Sequence, residues 1–198
     1  LREHAQQSGE NHIKWLDLWA LGERVASARN EDLVGVVYCT AYLKADPASH
    51  SRHQIYNRAL RNAGVEVITG HYMTEPRRGC SRCGHEEQKQ SEKQTDINVA
   101  LHLYRAALDD LCDTAYLLSA DSDQAATARH FAESFNEKRL VSVSPPNRPH
   151  SEKVMQYAHA KFGLTIEMVR ASRFPSIIIR QQGNPIRCPR EYDLPTPN

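Results

Sequence analysis

Apolar residues recur along the chain in two rhythms. Ile13, Leu16, Ala20 and Leu21 fall at helical spacing, widened by Leu18 and Val25, which predicts an amphipathic helix over 13–27. Asn30-Glu31-Asp32 reads as a turn. Leu33-Val34-Gly35-Val36-Val37-Tyr38-Cys39 follows as a near-continuous apolar run, which predicts a strand buried on both faces, as in a parallel sheet. Asp46-Pro47 then opens a helix, because an aspartate caps free amides and proline suits the first helical position. Ile55, Ala59 and Leu60 give its inner stripe, and Gly64 stands where a left-handed cap ends it. Val65-Glu66-Val67-Ile68 is the next strand.

Residues 73–92 form a polar stretch read as a loop. A helix is predicted from Thr95 to about Leu111, with Ile97, Ala100, Leu101, Tyr104, Leu108 and Leu111 on its inner face. Ala115-Tyr116-Leu117-Leu118-Ser119 reads as a buried strand running directly into Asp121-Ser122-Asp123. A helix over 124–135 follows, with Phe131 and Phe135 inward, then a strand at Leu140-Val141-Ser142-Val143. Residues 144–149 read as a loop and 151–160 as a helix. Ser176-Ile177-Ile178-Ile179-Arg180 and Pro185-Ile186-Arg187 flank Gly183-Asn184, the pattern of a terminal hairpin. Strands alternating with helices predict an α/β fold with a mainly parallel sheet. Ligands bind such sheets beyond the carboxyl ends of the strands, which is where Asp121 and Asp123 fall.

At 198 residues and 40% hydrophobic content, the chain suits one domain with a real core. We divide it into a domain over 1–175 and a tail over 176–198. No apolar run approaches the length that spans a bilayer, so no membrane partner is expected. Five cysteines, an odd number, and no visible signal peptide predict a reduced, cytoplasmic chain. The first residues, Leu1-Arg2-Glu3-His4-Ala5, read as the inside or end of a helix, which predicts a segment lost before them. Net charge is only +1, but it is unevenly spread. Residues 94–135 carry seven acids against two bases, and residues 136–198 carry ten bases against five acids. An acidic centre beside a basic flank suits a site that holds metal ions and faces a phosphate backbone.

Asp121 and Asp123 leave a buried strand two residues apart and can converge on one point. They would repel without a cation, and oxygen donors suit Mg²⁺ or Mn²⁺. Capping of the following helix is the simpler use of the same residues. Asp96, in the first turn of the preceding helix, could join them across the strand ends. Cys80 and Cys83, with His85 nearby, have the spacing of a zinc knuckle, and Cys188 becomes a fourth ligand only if the tail folds back. Two reduced thiols in a loop is the alternative. Trp15 and Trp19, four apart, point to core or interface.

The order of these motifs resembles the NYN branch of the PIN-like nucleases, the group that includes LabA-like proteins. The carrying segments are Lys14-Trp15-Leu16-Asp17-Leu18-Trp19, Gly64 to Tyr72, Glu92-Lys93-Gln94-Thr95-Asp96-Ile97-Asn98-Val99-Ala100, and Asp113 to Asp123. The resemblance implies a three-layer Rossmann-like domain, whose acids hold Mg²⁺ or Mn²⁺ and hydrolyse RNA. By motif, Asp96, Asp121 and Asp123 would be the catalytic and metal-site carboxylates. Ser119 and Ser122 would hold a water or a phosphate oxygen. The sequence departs from the pattern in two places. The first central strand, ending in Asp-Gly-x-Asn, is missing. Gln124-Ala125-Ala126 also follows Asp123 where a large apolar residue is usual.

The leading expectation is therefore a metal-dependent endoribonuclease acting on single-stranded RNA. The bases of the C-terminal third, with Arg77, Arg78 and Arg82, would hold the backbone, and a homodimer is open to it. The alternative is a non-catalytic RNA-binding or regulatory module of the same fold. A phosphohydrolase or a topoisomerase-primase-like enzyme ranks below both, since only the Asp-x-Asp supports it.

Overall fold

A computed structural model describes residues 2–41, 46–77, 87–119 and 121–194. The cysteine loop holding Cys80, Cys83 and His85 lies outside them, and with it the zinc expectation. The fold is α/β with mostly parallel strand pairing. Strands β1 (Val37–Ala41) and β2 (Glu66–Arg77) pair in parallel, joined by helix α3 (Pro47–Asn62). Strand β3 (Glu87–Lys93) returns antiparallel to the outer half of β2. A second sheet contains β4 (Thr114–Leu118), β5 (Arg139–Ser144) and β6 (Ala160–Gly163), all parallel. Among the described residues no strand joins β1 to β4, so these six strands stand as two groups of the order β1-β2-β3 and β4-β5-β6. No helix among the described residues is long and apolar enough to cross a membrane.

Alternation along β4 and β5 sorts the core onto two faces. Val141 and Val143 pack with Leu21 and Val25 of α2 (Leu18–Ser27) and Val169 of α7 (Ile166–Ala171). Leu140, Ala115 and Leu117 point the other way. They meet Ala107 of α4 (Thr95–Leu108), Ala128 and Phe131 of α5 (Ala125–Ser134) and Val154 of α6 (Glu152–Met155). Helices thus cover both faces of this sheet, in the layered manner of Rossmann-like folds.

A third cluster unites Trp15 with Ala59, Leu60, Val65 and Phe174. It also takes in Ile178 and Ile186, from the hairpin of β7 (Ile177–Ile178) and β8 (Ile186–Arg187), and Cys188 just beyond. The tail therefore forms the expected hairpin and is built into the core. Cys188 is buried there, and its thiol is pushed up to about 11, chiefly by burial. That makes it a packed thiol, not a ready metal ligand.

Four expectations are corrected. The predicted helix over 13–27 is broken at Trp15-Leu16-Asp17. Leu16 bridges Arg173, the Asp17 amide donates to the Ser172 carbonyl and the Phe174 amide to the Trp15 carbonyl. Asp17 then caps α2 by accepting from the Trp19 and Ala20 amides. Tertiary pairing here overrides the helical period.

The apolar run at 33–39 enters a strand only at Val37, and Val34 is 67% exposed, so the run is not buried on both faces. Within the polar stretch over 73–92, residues 73–77 and 87–92 belong to an antiparallel strand pair, where a loop was expected. Finally, α4 turns away from the core most of the stripe predicted to face it: Ile97, Leu101 and Leu108 are each at least 61% exposed, while Tyr104 packs inward as expected. Val99, Leu103 and Ala107 face inward in their place.

The helix read over 151–160 shortens to Glu152–Met155, while two capping signals are met as read. Asp46 caps α3 through the Ala48 amide, and Gly64 sits at φ +94°. The Val65 amide reaches the Leu60 carbonyl, closing a Schellman turn that only glycine enters without strain.

Near the N-terminus, Glu10 takes a bidentate grip from Arg170 at 3.0 and 2.9 Å and a third contact from His4. The Arg170 hydrogen bonds, with lesser help from His4, hold its carboxyl down at about 2 against an ordinary 4.5. A carboxyl lowered in the folded state stabilises it above pH 4.5 and loses that contribution as the pH falls toward 2. Thermal melts between pH 5.5 and 2.5 should show a steeper decline for the native protein than for Glu10→Gln. Parallel curves would remove the clamp from the account.

Candidate functional site

The strand ends of the second sheet carry the predicted acids. Ser119 follows β4, and its hydroxyl accepts from the Asp121 amide at 3.0 Å. Asp121 in turn accepts from the Asp123 amide at 3.0 Å, capping a short 3₁₀ turn over Ser122–Gln124 that leads into α5. Asp121 therefore does the capping that was the simpler expectation. Asp121, Ser122 and Asp123 are all exposed.

Asp96 lies in the first turn of α4, also exposed, and α4 packs against the Asp121 turn. The link is direct: Gln124 donates from Nε2 to Asp96 Oδ1 at 3.1 Å. A carboxylate only accepts, so this bond fixes the amide orientation and leaves Gln124 Oε1 facing the other way. Gln124 is 2% exposed, and among the described residues that oxygen has no partner. A buried acceptor without a donor costs on the order of 1–3 kcal/mol. The turn thus holds Asp96 in place at a local cost.

Three carboxylates from two elements share one rim, and no lysine or arginine pairs with any of them among the described residues. Among the described residues no base offsets the negative charge there, which is the electrostatic condition for drawing a cation. Among the described residues, no three His, Cys, Asp or Glu side chains are grouped as a ready-made metal cluster.

The basic flank is partly spent on structure. Arg170 grips Glu10, and Lys138 pairs with Asp110 at 2.6 Å and donates to the Cys112 carbonyl. Arg173 donates to Asp193 and to the Phe174 and Tyr192 carbonyls. These three bases are clips within the fold and are not available to a phosphate backbone. Lys153 on α6 and Lys161 on β6 stay exposed.

The structure is similar to a crystal structure of a protein of unknown function from Vibrio parahaemolyticus. The likeness has a TM-score of 0.50 at 19% identity, over 75% of this chain and 78% of that one. At that identity the likeness speaks for the α/β fold alone. No family model matches the chain, and no curated protein does.

Sequence reasoning placed Asp96, Asp121, Asp123, Ser119 and Ser122 on this rim. It missed the contact that Gln124 makes, which rests on a residue far away in the chain. It also missed Ser142, Ser144 and His150. Both serines are buried, and their hydroxyls meet the two ring nitrogens of His150, Nδ1 and Nε2, each at 3.2 Å. Two serines two apart in a strand share one face, which is the sequence signature such a pair leaves.

Proposed function

We propose that the protein is a metal-dependent ribonuclease that hydrolyses single-stranded RNA at the rim carrying Asp96, Asp121 and Asp123. The observation that carries this reading is the Gln124–Asp96 hydrogen bond, which ties the acid of α4 to the turn that presents the other two. The order of motifs, which resembles the NYN nucleases, supports it independently. The donor set fits a hard cation, since every candidate ligand is a carboxylate oxygen and none is neutralised by a described base.

Asp96, Asp121 and Asp123 would hold magnesium or manganese, which when bound acidifies a water and withdraws charge from a phosphate oxygen. The chain's own contribution is positioning. Ser119 fixes the backbone of Asp121, Asp121 fixes the turn, and Gln124 fixes one oxygen of Asp96. An extended strand of RNA reaches such a rim more readily than a rigid duplex. Free thiols at Cys39, Cys112 and Cys188 suit a reducing compartment.

The test is a gel assay with an end-labelled single-stranded RNA, in Mn²⁺ and in EDTA. Cleavage in Mn²⁺ that EDTA abolishes is the expected result. RNA binding that EDTA leaves intact, with no cleavage at any Mn²⁺ concentration, would replace the hydrolytic reading with a non-catalytic RNA-binding module.

A further inference from the structure

Beside the acidic rim lies a hollow of about 620 Å³, lined by Pro149, His150, Glu152, Met155, Gln156 and Lys161. Its position follows from the topology. The β4–β5 register places Leu118 beside Val143, so Ser119 and Ser144 leave the sheet as neighbours. The β5–β6 register places Lys161 beside Ser142. Helix α6, which supplies one wall, packs against the Asp121 turn. The hollow and the acids therefore open at the same end of the same sheet.

His150 is the informative wall. Both ring nitrogens are occupied by buried serine hydroxyls, so the orientation of the imidazole is set and neither nitrogen is left to meet a ligand. What the ring offers is its carbon face. Burial, and then the nearby Lys161 charge, hold its pKa below the ordinary value, so the ring is neutral. Pro149 and Met155 extend the apolar surface. Gln156 adds a polar edge, Glu152 a carboxylate that accepts from a base amino group or a ribose hydroxyl, and Lys161, exposed and in no ion pair among the described residues, adds one cation. A flat apolar wall, polar edges and a single cation match a nucleotide unit, whose base stacks while its phosphate meets a lysine.

We propose that this hollow is a nucleotide subsite that takes one base of an RNA strand against His150, Pro149 and Met155, with a phosphate of the same unit at Lys161. It rests on the ribonuclease reading for its substrate and names where a base beside the scissile phosphate would sit. It also gives the chain a means of preferring unpaired RNA, because a base held in a duplex cannot enter.

The test uses adenosine monophosphate in EDTA, followed by calorimetry or by NMR shifts of Met155 and His150. Adenosine monophosphate should bind at least about tenfold tighter than ribose 5-phosphate, the stacking contribution of one base. Lys161→Ala, an exposed change that leaves the core alone, should weaken it about fivefold. Met155→Ala should weaken adenosine monophosphate but not ribose 5-phosphate. Equal binding of the two ligands, or binding indifferent to Lys161→Ala, would overturn the subsite.

A second arm replaces the nucleotide with a short single-stranded oligonucleotide, which should bind more tightly and show the same dependence on Lys161. Oligonucleotide binding untouched by Lys161→Ala would make the hollow a site for free nucleotides and overturn its assignment to RNA. If the nucleotide binds as expected while RNA is never cleaved, the subsite stands and the hydrolytic reading fails.

Discussion

Trp15→Ala should lower the unfolding free energy by roughly 3–5 kcal/mol, the usual cost of removing a large buried aromatic. Trp15 is fully buried between Tyr56 and Phe174, with ring centroids 6.1 and 5.5 Å away. Its indole N–H donates to the Pro175 carbonyl at 2.9 Å. One side chain therefore joins the broken N-terminal segment, α3 and the C-terminal hairpin, and its loss leaves both a cavity and an unpaired carbonyl. Trp15→Phe should cost less, about 1–2 kcal/mol, because the ring volume is mostly kept and the hydrogen bond is lost. Leu108→Ser is the control. Leu108 is 70% exposed, so that change should stay within about 0.5 kcal/mol. Urea denaturation followed by tryptophan fluorescence for Leu108→Ser, and by circular dichroism for the Trp15 variants, measures all three. A Leu108→Ser cost as large as that of Trp15→Ala would mean that α4 faces inward as its sequence pattern suggests.

That control marks the limit of what periodicity can tell. The alternation of strands and helices, the cap at Asp46, the turn at Gly64 and the terminal hairpin were all legible, because each depends on local chemistry. The orientation of α4 was not. The helix carries two apolar stripes, one through Ile97, Leu101 and Leu108 and another through Val99, Leu103 and Ala107, and the pattern alone does not rank them. The break at Trp15-Leu16-Asp17 was hidden for a different reason. It is imposed by pairing with Ser172–Phe174, more than 150 residues away in the chain, which no window on the sequence contains.

The candidate site shows the same division. Asp121 and Asp123 were legible as candidates because carboxylates just beyond a strand end form a recognisable pattern. Gln124 was passed over because its importance comes from a contact with Asp96, 28 positions earlier. The Ser142–His150–Ser144 arrangement depends on a loop returning over its own strand. Charge counting also overstated the basic flank, since the sequence does not show that Arg170, Arg173 and Lys138 are already paired inside the fold.

Asp121→Asn separates the two uses of the acid that matters most. Asparagine caps a helical turn about as well as aspartate, because its carbonyl oxygen accepts the same amide. The bond from the Asp123 amide at 3.0 Å, and with it the turn, should survive the change. Thermal stability should therefore stay within about 1 kcal/mol of the native protein. What disappears is one negative charge at the rim. If Asp121 holds a catalytic cation, Mn²⁺-dependent RNA cleavage should fall roughly 100-fold or more, and calorimetric Mn²⁺ affinity should fall with it. Asp96→Asn should act the same way, since its amide oxygen still accepts from Gln124 Nε2 while its charge is gone. Gln124→Leu should reduce cleavage less, because it frees Asp96 without discharging it, and it removes a buried unpaired oxygen, so stability should hold or rise. Full activity in Asp121→Asn, with the fold intact, would reduce this aspartate to a cap and take the metal site away from this end of the sheet.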